Sequence, residues 1–249
     1  MTTTWLGRTM YSLDTESTSL DTESARVVTL TLGRSTSPGH WSPKSYLLDP
    51  GVEIPAEATA VHGITTEHAQ KEGMQPGHAL HEVWLWLTQI ATGRTPLVIF
   101  NAPYDLTLLD REFRRHLGKP LPAGLTVLDT LCLYRRFDWR TGGRSLGKLA
   151  GRHGITFPAH DAEADALASL RLLHILADAN DLLPLIDADV LHRAQVGWWV
   201  QQQDAVEARA AGSGVPFTRQ NHWPLIPPDG VDPATGEIPS LTNRKDRPS

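Results

Sequence analysis

Short alternating stretches dominate the first fifty positions, and helical spacing dominates most of the rest. Met10–Leu13 reads as a short strand, and Arg26–Leu32, an alternating β-branched run, predicts a second. Ser45–Leu48 predicts a third, closed by the turn signal Asp49-Pro-Gly51. Glu57–Gly63 and Thr66–Glu72 predict short helices. His78–Thr92 predicts a longer one, with Leu80, Val83, Trp84, Leu87 and Ile90 on one face. Pro96–Phe100 is continuously apolar, as a strand buried on both faces requires. A helix over Leu106–His116 follows it. Leu125–Asp129 predicts a short strand that runs into a helix through Leu131 and Tyr134. Leu146–His153 and Asp161–Ala179 complete the helices, the second with a broad apolar face from Ala164 to Leu176. A strand meander followed by alternating strands and helices predicts an α/β fold, a mixed sheet with helices packed against it.

The pattern changes after Pro184. We expect one domain over 1–184 and a helical extension over 185–211, carried by Val190–Ala211. Ala211-Gly-Ser-Gly-Val-Pro216 is linker-like, and 212–249 reads as a Pro/Gly-rich tail. Trp198, Trp199, Trp223 and Leu225 are candidate anchors for a partner chain. With 40% hydrophobic and 20% charged residues, a core can be buried. The net charge of −5 disfavours unspecific coating of nucleic acid while leaving room for a small cleft. Cys132 is the one cysteine, so an internal disulfide and a cysteine zinc site are both excluded, and a buried apolar role is expected. No apolar run approaches the roughly 18 residues of a membrane span, and no leader is visible in MTTTWLGRTM, so a cytoplasmic protein is expected.

The candidate chemistry lies in carboxylates. LDTES occurs twice, placing Asp14 with Glu16 and Asp21 with Glu23. Each pair shares a side in extended backbone. Asp14 follows the first strand, whereas Asp21 and Glu23 fall in a polar connection and read as solvated turn residues. Asp105 follows the buried strand, and Asp165 lies one turn into the long helix, with His160 at its start. Four carboxylates and a histidine from separate elements can converge on one cleft. Two hard cations roughly 3.5–4 Å apart need such oxygen ligands, and a histidine beside them can deprotonate a bound water.

LDTESTSLDTESARVV, LLDPGVEIPAEATAVHGITTEH, VIFNAPYDLTLL, VLDTLCLYRR and SLGKLAGRHGITFPAHDAEADALASLRLL together resemble the DEDDh 3′→5′ exonucleases, which include the proofreading epsilon subunit of bacterial DNA polymerase III. The resemblance spans Tyr11 to Leu176 in family order. It implies a ribonuclease H-like fold, hydrolysis at single-stranded 3′ ends of DNA, and two divalent ions, Mg2+ with Mn2+ substituting. It implies that Asp14, Glu16, Asp105 and Asp165 hold the metals, that His160 is the general base, and that only the first LDTES is a site. It further suggests that His62 contacts the terminal base, that Ser17 and Thr18 contact the terminal sugar, and that Asn101 shapes the pocket rather than only capping a helix. Ser17-Thr18-Ser19 replaces the family's Thr-Thr-Gly, and Pro103-Tyr104 replaces Ser-Phe, but no ligand is lost. Arg135, Arg136, Arg140, Arg144, Lys148 and Arg152 offer either a solvated face or a backbone-binding rim, with Phe137 and Trp139 as stacking candidates. The alternatives are an RNA exonuclease of the same superfamily, or a non-catalytic polymerase-docking module anchored by the tail.

Overall fold

The alternating run at positions 26–32 belongs to the central strand of a three-stranded meander. In the computed structural model, which describes residues 4–228 apart from 38, 139, 141 and 215, β1 (Met10–Ser17), β2 (Val27–Ser37) and β3 (His40–Leu47) form an antiparallel meander. Three helices follow: α1 (Ala56–His62), α2 (Thr66–Glu72) and α3 (Pro76–Thr92). Then come β4 (Pro96–Ile99), α4 (Ala102–Leu117), β5 (Thr126–Asp129), α5 (Thr130–Phe137), α6 (Leu146–Arg152), α7 (Ala162–Asp178) and α8 (Ala188–Ser213). The five strands lie in the order β3-β2-β1-β4-β5, with β1, β4 and β5 parallel. This is the mixed sheet flanked by helices that the sequence predicts. Because those three strands run the same way, the residues that leave their C-terminal ends meet at one edge of the sheet.

β1 is longer than its apolar residues suggest. Its polar half pairs with β2, Asp14 opposite Thr31 and Glu16 opposite Thr29, and the register shifts between Glu16 and Ser17. The two carboxylates are therefore fixed by a strand ladder rather than by a loop. Apolar side chains line both faces. Leu13, Leu30, Leu97 and Ile99 of the sheet cluster with Leu87 of α3 and Phe113 of α4, while Val98 and Leu128 cluster with Leu170 and Leu173 of α7. Burying each such side chain contributes about 1.5–3 kcal/mol. α7 lies across β1, β2 and β4, which carries its first turn to the sheet edge where β1 ends.

β5 is an edge strand whose backbone is satisfied by side chains. His192 Nδ1 accepts from Val127 N at 3.1 Å. Gln195 accepts from Asp129 N at 2.9 Å and donates to Val127 O at 2.9 Å. α8 thus replaces a sixth strand and covers an edge that would otherwise be open to pairing.

The segment 216–228, read from sequence as the start of a tail, turns back onto the domain. Trp223 is buried at 6% exposure, Trp199 Nε1 donates to Gln220 O at 2.7 Å, and Ile226 N donates to Thr107 Oγ1 at 3.0 Å. Trp223 joins the core there, which spacing along a Pro-rich segment does not reveal. The rest of the expected tail, 229–249, lies outside the described residues. Among the described residues, no helix is long and apolar enough to cross a membrane.

Candidate active site

Asp14 and Glu16 project from the end of β1. Asp105 sits in the first turn of α4, and Asp165 in the first turn of α7. The turn into α4 is tight: Asn101 adopts a left-handed backbone, φ 67° and ψ 52°. Asparagine tolerates this better than most residues. Its side chain makes no cap bond, so the expected cap is supplied from elsewhere: Asp129 accepts from Asn101 N and Ala102 N, each at 3.1 Å. α7 is capped by Asp161, whose Oδ1 accepts from Glu163 N and Ala164 N, both at 3.0 Å. His160 precedes that cap at φ 65°, and its backbone N donates to Asp165 Oδ2 at 3.2 Å.

These turns bring Glu16, His160 and Asp165 together, with ligand-type atoms within 4.8 Å of one another. Asp14 and Asp105 fall outside that grouping but are tied to it by charge. Burial raises the Asp14 carboxyl well above its usual range, and Asp105, Asp165 and Glu16 raise it further. Burial, then Asp165, Asp105 and Asp161, push Glu16 up to about 7. Asp105 is pushed to about 7 by burial, against a 2.7 Å hydrogen bond from Thr15 Oγ1 that favours its ionised form. Burial raises Asp165 to about 6. Among the described residues, Asp165 Oδ1 is buried with no hydrogen-bond partner. A cluster rich in carboxylates, with an orphaned carboxylate oxygen beside a histidine, fits a hard divalent cation.

The remaining candidates separate. The His62 ring lies beside the Ser17 backbone and His160, its Nδ1 accepts from Ile64 N at 3.1 Å, and burial lowers its pKa. Ser17 Oγ bonds Ser19 O at 2.9 Å and meets the Tyr104 hydroxyl, which also donates to Ser19 O at 2.8 Å. Thr18 is buried, and its hydroxyl accepts from Arg26 N at 3.0 Å, closing the hairpin. Of the second LDTES, Asp21 caps a turn through Ser24 Oγ and Glu23 N. Glu23 is more than a turn residue, because it receives a forked pair from the buried Arg111. In the arginine run, Asp138 pairs with Arg140 and lies 3.7 Å from Arg152, and Arg144 donates to the carbonyls of Asp138 and Arg140. Phe137 packs edge-on against Trp198 at 5.6 Å. Trp139 lies outside the described residues. Cys132 is fully buried, as expected, and burial raises its thiol.

Sequence reasoning missed Thr15, Tyr104, Asp129 and Asp161 as supports. Asp129 and Asp161 carry the signal of an acid placed just before a helix, which marks an N-cap. Thr15 and Tyr104 carry none, since their contacts are made 90 and 87 positions away.

Comparison with known proteins follows the same lines. A DNA polymerase III subunit epsilon-like protein of Rhodobacter capsulatus is 38% identical over 137 residues, 52% of this chain and 18% of that protein. A PolC-type DNA polymerase III of Streptococcus thermophilus is 32% identical over 130 residues, 51% of this chain and 8% of that protein. The chain thus matches less than a fifth of the length of either. E. coli Exonuclease I in complex with a dT13 oligonucleotide has the same fold, with a TM-score of 0.60 at 19% identity, over 68% of this chain and 41% of that one. So does Exonuclease X in complex with 5′ overhanging duplex DNA, with a TM-score of 0.53 at 21% identity, over 73% of this chain and 99% of that one. The RNase_T exonuclease family model matches residues 12–173, a span that holds Asp14, Glu16, Asp105, His160 and Asp165, and the chain therefore belongs to that family, the metal-dependent exonucleases of DEDDh type.

Proposed function

We propose that the chain is a 3′→5′ exonuclease that hydrolyses phosphodiesters at unpaired 3′ ends, DNA in preference to RNA, and releases nucleoside monophosphates. The observation that carries this reading is the meeting of Glu16, His160 and Asp165 within 4.8 Å, with Asp14 and Asp105 coupled to them by charge. Two divalent ions, magnesium by preference and manganese as substitute, would activate a water and offset the charge of the scissile phosphate. Asp14, Glu16 and Asp165 would hold one, and Asp14 with Asp105 the other. His160 is exposed, so its ring can take the proton of the attacking water and pass it to solvent. Its backbone bond to Asp165 keeps base and carboxylate in step. Ser17, braced by Tyr104, offers a wall for the terminal sugar. His62 and the 89% exposed Leu20 offer base contacts that do not read sequence, which suits a single-stranded end.

The docking alternative loses support. Trp199 and Trp223 are buried in this chain, and Trp198 packs on Phe137 and Arg136. A separate polymerase chain stays within the proposal as a partner, supported by the names of the two relatives.

The test is digestion of 5′-labelled single-stranded DNA and the matched RNA with magnesium, manganese or EDTA. We expect a ladder of single-nucleotide steps, faster on DNA and absent in EDTA. Faster cutting of RNA would reassign the substrate. Intact oligonucleotides after incubation with folded protein would sink the enzyme reading.

A further inference from the structure

We propose that residues 216–228 are a built-in strap that positions Asp105, with Trp223 as its positioning residue. The argument begins at Asp129, which is fully buried at the end of β5 and accepts four hydrogen bonds. Asn101 N, Ala102 N, Cys132 N and Trp223 Nε1 are the donors, each at 3.1 Å. Two of these bonds hold the left-handed turn that starts α4, and Asp105 lies in the first turn of that helix. A strained turn keeps its shape only when its surroundings over-determine it. Trp223 arrives from 94 residues away and supplies the one side-chain donor of the set. Its ring is wedged beside His192, at 5.1 Å between centroids, which fixes the direction of that N–H.

The strap holds α4 a second time. Ile226 N donates to the buried Thr107 Oγ1 at 3.0 Å, two positions beyond Asp105. Asp105 is thus bracketed by the turn that Trp223 braces and by the residue that Ile226 pins. The segment is anchored at its other end as well, with Arg219 paired to Asp204 and Glu207 on α8, and Gln220 bonded to Trp199 and Gln203. A carboxylate that must meet a metal or a bound water depends on such outer contacts, whose loss typically costs about 10–100-fold.

The inference rests on the exonuclease reading of Asp105, so its test pairs an activity readout with one independent of activity. Full-length Trp223→Phe keeps an aromatic ring but removes the N–H. Thr107→Val keeps the shape but removes the acceptor, and it carries the test if Trp223→Phe does not fold. We expect kcat on a single-stranded 3′ end to fall about tenfold in either variant, with KM within about twofold of the parent. In the same proteins without metal, amide hydrogen exchange should accelerate in the peptide spanning 99–107 while the β1–β2 hairpin stays at its parental rate. Parental exchange across 99–107 in both variants would overturn the strap, as would acceleration spread evenly over the sheet. If the parent cuts nothing, the exonuclease reading falls, and the exchange pattern still decides whether the strap holds α4.

Discussion

At the scale of single residues, the candidate site is a set of acids whose charged forms are disfavoured first by burial and then by neighbouring acids. Glu16 and Asp105 are held near 7 and Asp165 near 6, in each case mainly by burial. An acid whose folded value is raised contributes stability while protonated. That contribution is complete below the unfolded value near ~4 and is lost as pH rises through ~6–7. Metal-free Asp165→Asn, which removes one charge, should therefore melt above the parent at pH 8 and level with it only below the unfolded value, at about pH 3.5. Thermal unfolding in EDTA at the two pH values checks this. An equal offset at both would mean that the Asp165 carboxyl is not held above its unfolded value. The acids themselves were legible because each follows a strand or opens a helix. Glu23 was not, since its partner Arg111 is 88 positions away and ordinary turn chemistry explained it well enough.

At the scale of elements, the sequence showed where strands and helices lie but shortened those whose ends are polar. β1 runs on to Ser17 because β2 pairs with it, and no local hydrophobic signal reports a ladder bond. α8 was legible as a helix, but its purpose was not. Its Gln195 is fully buried and hydrogen-bonded to both Val127 and Asp129 of the edge strand. Gln195→Leu leaves a buried N–H and a buried carbonyl unpaired, and should cost about 2–4 kcal/mol with an unchanged denaturant slope. Urea unfolding measures this directly. A loss under about 0.5 kcal/mol would show that β5 does not depend on α8 for its edge.

At the scale of the whole molecule, three parallel strands deliver their chemistry to one end of a sheet, and a returning C-terminal segment closes behind it. The first half of that arrangement was readable, because the order of motifs along the chain matches a known family. The second was not: residues 216–228 hold too few apolar positions to show periodicity, and the indole of Trp223 has a polar partner inside the fold. The net charge of −5 is also accounted for at this scale, since an acidic cleft adds negative charge to the chain until cations bind. The central claim is that the cleft around the first LDTES, and not the second copy at 20–24, cuts nucleic acid. The most direct measurement is the magnesium-dependent digestion rate of a 5′-labelled single strand by the parent, Asp14→Ala and Asp21→Ala, each confirmed folded. The account predicts a ladder from the parent and from Asp21→Ala, and a rate for Asp14→Ala lower by at least about a hundredfold. Equal rates from the parent and Asp14→Ala, or loss in Asp21→Ala alone, would contradict it.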